Sequence, residues 1–201
     1  MKKILHLATL LAALPLVVAL VGPSVAMAGQ PDQQLQFDMR IVGADLPLEM
    51  GPGEPPFIQL STFDGRCSVP STWVTTINSA GTSRALGHVT VTNSHCTTFP
   101  FFDNPPQHAT FVDGRMTITA ANGDELWVHY SGSFDFTPGV NPPAGVSAIH
   151  YSSMTVVGGT GRFADATGHL TGEAIDDWPA GANVATFDGT VTYQASNRAD
   201  Q

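Results

Sequence analysis

Apolar and polar residues alternate along most of the chain beyond its first apolar run, as they do in strands with one buried face. Clusters such as "GPGEPP" and "TPGVNPPAG" separate the alternating stretches and indicate turns. Hardly any window repeats apolar residues at helical spacing. The pattern predicts strands at residues 35–42, 57–63, 72–77, 88–93, 115–120, 125–136, 149–157 and 184–194.

This number of evenly spaced antiparallel strands favours a closed barrel, because closure removes the exposed edges of an open sheet. A barrel of eight strands is filled by its own side chains or holds one small ligand. A two-sheet β-sandwich is the alternative, and the alternation alone does not separate the two. We predict an all-β fold, a closed antiparallel eight-stranded barrel, as a single domain over residues 35–201 after a flexible lead-in at 29–34.

The alternation also assigns side chains to the two faces of each strand. Tyr130 and Phe134 lie on the apolar face of their strand, which we expect to point inward. The same rule places Met116, Phe187 and Tyr193 inward. These five residues are the candidate walls of an interior binding site, with Tyr130 and Tyr193 as polar contacts for a ligand.

The first residues have the features of a secretory signal peptide. Lys2 and Lys3 precede a long apolar run, and the small residues of "AMA" end at Ala28. An uncleaved membrane anchor is the alternative, because the run is close to the length that spans a bilayer. We predict a signal peptide at residues 1–28, cleavage after Ala28, and a secreted or periplasmic protein that is not attached to a membrane afterwards.

The charge of the chain excludes two classes of partner. Its only lysines are Lys2 and Lys3, so the predicted mature protein carries six arginines against 17 acidic residues. Nucleic acids and anionic membrane surfaces are bound by basic patches. We therefore expect neither as a partner.

Cys67 and Cys96 are the only two cysteines. In an exported chain an even number of cysteines predicts a disulfide, with two buried free thiols as the alternative. The chain has no CxxC motif, and no two histidines have the HxH spacing that would place both on one strand face. We predict no metal site, and we interpret the later histidines as scattered surface or loop side chains: His88, His95, His108, His129, His150 and His169.

The stretch "VVGGTGRFADATGHLTG" (156–172) resembles a dinucleotide-binding fingerprint only in part. The helix and the parallel sheet that such a site needs do not follow it, since "GHLTGEAI" reads as extended, so no nucleotide cofactor is predicted. Glycine permits positive φ and close approach of strands, which predicts a tight corner with a β-bulge. The corner residues are Gly158, Gly159, Gly161, Phe163 and Gly168.

The segment "GGTGRFADATG" resembles the GGTGxFxxAxG corner of the allene oxide cyclase and dirigent barrel superfamily. It is especially similar to exported bacterial barrel proteins that carry GGTGRFAGATG, and "MTITAANGDELW" (116–127) and "FDGTVTY" (187–193) also resemble that group. The resemblance covers residues 60–193 and implies an eight-stranded barrel with a central cavity, which is often trimeric in the plant relatives. It carries over no catalytic residue, because none of the superfamily's reactive positions aligns with this chain.

Three hypotheses of function follow. The first is an exported barrel that binds a small hydrophobic or amphipathic molecule in its interior. The second, implied by the resemblance, is a cyclase or isomerase of the allene oxide cyclase or dirigent type that needs no metal or nucleotide. The third is a structural or interaction protein whose barrel is filled by its own side chains and which forms a homotrimer through its outer face.

Overall fold

The computed structural model describes residues 32–44, 65–98, 108–136, 146–177, 180 and 182–194. Eight antiparallel strands pair in chain order and β8 pairs with β1, so the sheet closes into a barrel and the sandwich alternative is wrong. The strands are β1 (Asp32–Ala44), β2 (Thr72–Ser83), β3 (Gly87–Thr98), β4 (His108–Thr119), β5 (Glu125–Phe136), β6 (Val146–Gly159), β7 (Thr167–Asp177) and β8 (Ala182–Gln194).

Strand β7 is the one that the alternation misses. Its inward positions include Gly168 and Gly172, which lack the apolar side chains that a period-two pattern needs. The missing side chain at Gly172 has a packing role, because a Cβ there would collide with the ring of Phe187. The strand predicted at 57–63 lies outside the described residues.

Strand β4 begins at His108, well before the predicted start at residue 115. The register between β4 and β5 shifts between Phe111 and Gly114, where Asp113 adopts a left-handed conformation with φ of 54°. Such a bulge adds a residue to one strand and breaks the period of two. The alternation therefore finds only the half of β4 beyond the bulge.

The glycine stretch forms the corner that its residues predict. Gly158 lies at a shift in the β5–β6 register and has a φ of 131°. A short 3-10 helix follows over Gly161–Phe163, and the ring of Phe163 is completely buried beneath this end of the barrel. A Cβ at Gly168 would collide with the backbone of β8, so that glycine allows the two strands to approach.

The inward side chains of the described strands form one hydrophobic cluster that extends from the glycine corner toward the opposite end of the barrel. The inward assignments for β4, β5 and β8 are confirmed for Met116, Tyr130, Phe134 and Phe187, all of which are buried. Burial of each large apolar side chain stabilises the fold by about 1.5–3 kcal/mol. The largest fully buried side chains are Phe37, Phe111, Phe163, Phe187, Ile41, Met116, Ile118, Leu126 and Met154.

The predicted disulfide between Cys67 and Cys96 is confirmed, with 5.8 Å between the two Cα atoms. It ties the segment before β2 to the outer face of β3. A second tether lies next to it, because the backbone N–H of Ser68 donates to a carboxylate oxygen of Asp113 at 2.6 Å. The segment at 65–71 is thereby held over β3 and β4.

The signal peptide prediction concerns residues 1–28, which are outside the described ranges, and it stays a prediction. None of the helices found within the described residues has the length and apolar character needed to cross a membrane.

Candidate functional site

The inward face of β3 carries a series of buried or half-buried polar side chains. Asn93, His95 and Thr97 follow the apolar Val91 at every second position. The interpretation of His95 as a surface or loop residue is wrong, since the side chain is buried with 8% of its surface exposed. The predicted strand ends at Asn93, whereas β3 continues to Thr98. Extending the alternation by four residues places His95 on the same face as Val91.

His95 and Tyr130 form a hydrogen bond between Nδ1 and the phenolic oxygen at 2.9 Å. The phenol also lies 3.2 Å from the carbonyl oxygen of Ser94, to which it can donate. A phenol has one proton, so it donates either to this carbonyl or to Nδ1 of His95. In the first case Nδ1–H donates to the phenol and Nε2 carries a lone pair. In the second case Nε2 carries the hydrogen.

In both arrangements Nε2 of His95 has no hydrogen-bond partner among the residues that the structure describes. The buried hydroxyl of Thr97 also has none within the same part of the chain. The two residues are two positions apart on one strand face, a spacing of about 7 Å. A buried polar atom without a partner costs about 1–3 kcal/mol. The inward face of β3 therefore has two polar atoms available for the polar groups of a bound molecule.

Aromatic rings surround this polar pair. The imidazole of His95 lies 4.8 Å from the ring centroid of Phe111 and 5.8 Å from that of Phe134. Tyr151 contacts the rings of Phe111 and Tyr130 at 5.6 Å and 5.5 Å. These rings form apolar walls on several sides of the imidazole.

Burial determines the charge state of the pair. Desolvation in the aromatic surroundings lowers the pKa of His95 from 6.5 to about 3. Burial likewise raises the pKa of the Tyr130 phenol well above 10, and the neighbouring Tyr151 adds to this effect. Both groups are therefore neutral near pH 7. The pair can form hydrogen bonds with a neutral polar group, but it supplies no charge that would neutralise a charged group.

The structure distributes the five predicted binding residues unevenly. Tyr130 and Phe134 lie in the aromatic cluster around His95, and Phe187 borders it through Tyr151 at 5.2 Å. Met116 is buried in the adjacent strand, directly opposite Asn93 of β3. Their role in binding stays a prediction.

Tyr193 lies at the other end of the barrel. Its half-buried ring contacts Phe163 of the glycine corner at 5.3 Å, and its hydroxyl donates to the side chain of Gln33 at 3.2 Å. It is therefore separate from the cluster around His95.

The other histidines past the signal segment are exposed, as the sequence predicts. On the outer face, Asp135 bridges His108 at 2.9 Å and His150 at 3.4 Å. Within the described ranges, no group of three or more His, Cys, Asp or Glu side chains is arranged so that it could hold a metal ion.

No protein-family model matches the chain, and no curated protein matches it. Among solved structures, the chain is similar to the pterocarpan synthase dirigent protein GePTS1, with 15% sequence identity and a TM-score of 0.43. The similarity covers 84% of this chain and 88% of that chain. The assignment as a closed eight-stranded barrel rests on the strand pairing of this chain itself.

Proposed function

We propose that this chain is an exported barrel of the allene oxide cyclase and dirigent type that binds a small, neutral, amphipathic molecule in its interior. The observation that carries the proposal is the buried Nε2 of His95, which has no hydrogen-bond partner among the described residues. Secretion is supported by the signal-like first residues, and the barrel type by the glycine corner.

The surroundings of His95 define the class of ligand. Its Nε2 can bind one hydroxyl or carbonyl group, according to the tautomer. The rings of Phe111, Phe134 and Tyr151 suit an apolar body next to that polar group. Because His95 and Tyr130 are neutral, the pair favours an alcohol, ketone or phenol over a carboxylate or an amine.

A barrel that served only as a structural unit would gain from an apolar side chain at position 95. An imidazole there loses its hydration and recovers only one hydrogen bond, so it costs stability. A ligand that supplies the second hydrogen bond would recover that cost. This balance favours ligand binding over the self-filled barrel.

A cyclase or isomerase is the second candidate, and the hydrogen-bonded pair is the observation that favours it. When the phenol of Tyr130 donates to Nδ1 of His95, Nε2–H of His95 can donate to a ligand carbonyl and polarise it. The aromatic walls would hold the ligand in one conformation. Turnover that is lost in Tyr130→Phe, at unchanged ligand affinity, would support this candidate over binding alone.

The proposal is tested by fluorescence titration of the oxidised mature protein with an environment-sensitive apolar dye. Displacement is then measured with a terpenoid alcohol, the hydrocarbon of the same skeleton, and a fatty acid. We expect saturable one-to-one binding of the dye and stronger displacement by the alcohol than by the hydrocarbon. In His95→Leu the preference for the alcohol should disappear, whereas in the control His88→Gln, at an exposed position, it should remain.

Two results would contradict the proposal. One is the absence of saturable binding by dye or alcohol. The other is an unchanged preference for the alcohol in His95→Leu, with the circular dichroism spectrum showing that the variant is folded.

A further inference from the structure

The outside of the barrel has a groove that the interior site does not use. It measures about 450 Å³ and lies between the segment at 65–68 and the outer faces of β4, β5 and β6. The disulfide between Cys67 and Cys96 and the hydrogen bond from Ser68 to Asp113 hold that segment in place. The bulge at Asp113 forms the floor beside it. The disulfide, the hydrogen bond and the bulge therefore determine the shape of the groove.

Its lining is polar and follows the strand register. Arg115 of β4 lies directly opposite His129 of β5, which lies opposite Thr155 of β6. One pleat further along, Ser131 lies opposite Ser153. Neighbouring strands are about 4.8 Å apart, and alternate residues about 7 Å apart, so these side chains cover a patch about 10 Å wide.

Arginines outnumber carboxylates in the described lining of this groove, although the whole chain has a net charge of −9. Arg66 and Arg115 both line it, and Asp113 is the single acidic residue of its described lining. The carboxylate of Asp113 accepts the backbone N–H of Ser68, and this hydrogen bond, with a smaller contribution from the charge of Arg115, lowers its pKa. A guanidinium beside imidazole and hydroxyl groups can hold an anion that also forms hydrogen bonds.

We propose that this groove binds a small hydroxylated organic anion of the sugar-acid class. Arg115 would bind the carboxylate, because guanidinium groups match carboxylate geometry. The hydroxyls of Ser131, Ser153 and Thr155 would bind the hydroxyl groups of the ligand. The volume lies within the range of about 300–1,000 Å³ that is usual for small-molecule sites. The proposed ligand makes no use of His95, although Tyr130, which bonds His95 inside the barrel, also lies along the groove.

The test is isothermal titration calorimetry of the oxidised mature protein with glucuronate and with glucose, which lacks the charge. We expect saturable binding of glucuronate and at least about tenfold weaker binding of glucose. Arg115→Gln should weaken glucuronate binding about tenfold or more. The matched control is Arg84→Gln, whose side chain is exposed and pairs with Asp38 elsewhere on the barrel. It should leave the affinity unchanged.

The proposal is overturned if glucuronate shows no saturable binding, if glucose binds as tightly, or if Arg115→Gln and Arg84→Gln have the same affinity. Thermal unfolding establishes that each variant is folded. If Arg115→Gln does not fold, Ser153→Ala takes its place, with an expected loss of about threefold to tenfold from one hydrogen bond. An unchanged affinity in that variant would also count against the site.

Discussion

His95 and Cys96 are consecutive residues of β3 whose side chains point to opposite sides of the barrel wall, and both are buried. His95 reaches inward to the phenol of Tyr130. Cys96 is bonded on the outside to Cys67, in the segment that covers the outer groove. One two-residue stretch thus anchors the interior polar pair and the outer groove.

Removing the disulfide should destabilise the protein by about 3.6 kcal/mol, because the cross-link closes a 29-residue loop in the unfolded chain. The measurement is guanidinium denaturation of the oxidised wild type and of the double variant Cys67→Ala with Cys96→Ala. The wild type under reducing conditions is the control and should match the variant. A loss below about 1 kcal/mol would mean that the segment at 65–71 is held without the covalent bond.

Tyr130→Phe should lower the free energy of unfolding by about 1–3 kcal/mol, since it leaves Nδ1 of His95 and the carbonyl of Ser94 without the phenol. Tyr193→Phe is the matched control, because its hydroxyl contacts the exposed Gln33. That change should cost less than about 0.5 kcal/mol. Urea denaturation measures both, and equal losses would speak against a buried polar pair at Tyr130.

The stability of the protein should fall as the pH decreases from 6.5 toward 3. The pKa of His95 is about 3 in the folded protein and 6.5 in the unfolded chain, so in this window the unfolded chain binds a proton that the folded protein does not. The free energy of unfolding therefore rises with pH, by up to about 1.4 kcal/mol per pH unit from this residue, and its contribution is complete above pH 6.5.

Urea denaturation between pH 4 and 7 measures this dependence. His95→Gln should reduce the slope, and His88→Gln, at an exposed position, should leave it unchanged. If His95→Gln has the same slope as the wild type, burial does not lower the pKa of His95.

The loss of stability caused by a substitution at Asp113 should depend on two properties of the new residue. One is whether it tolerates the left-handed backbone conformation, and the other is whether it can accept the Ser68 N–H. Asparagine tolerates the left-handed region and keeps an acceptor oxygen, so Asp113→Asn should be the mildest change. Alanine has neither property, and Asp113→Ala should cost about 1–2 kcal/mol for the conformation alone. Asp113→Gly should lie between them. Thermal unfolding measures the order, and a smaller loss in the alanine variant than in the asparagine variant would contradict it.

Gly159→Ala should destabilise the barrel far more than Gly123→Ala. A Cβ at Gly159 would collide with the carbonyl of Glu125 on β5 and crowd Phe163, so the strand pair would have to separate. Gly123 has a φ of 87° and open space around it, and its substitution should cost only about 1 kcal/mol. Urea denaturation compares the two variants. Similar losses would mean that the corner is not closely packed.

Much of the fold is encoded locally. Strict alternation in β5 and β8 was sufficient to predict the inward positions of Phe134 and Phe187, because the period of a strand is independent of its partners. The number of cysteines predicted the disulfide, because two cysteines allow only one pairing. The glycines of 158–168 predicted the corner, because access to positive φ is a property of each residue. The strand β7 escaped prediction because Gly172 leaves space for Phe187, which belongs to another strand.

The sequence by itself thus determined an all-β chain, the faces of its regular strands, the corner and the disulfide. Only the tertiary structure decided that His95 forms a hydrogen bond with Tyr130, 35 residues away. It also decided that Arg115 lies opposite His129 beside the segment at 65–68. Both relationships depend on the register of β3 with β4 and of β4 with β5, and on the bulge at Asp113. Register is set by the packing and hydrogen bonding of whole strands, which no local pattern of residues contains.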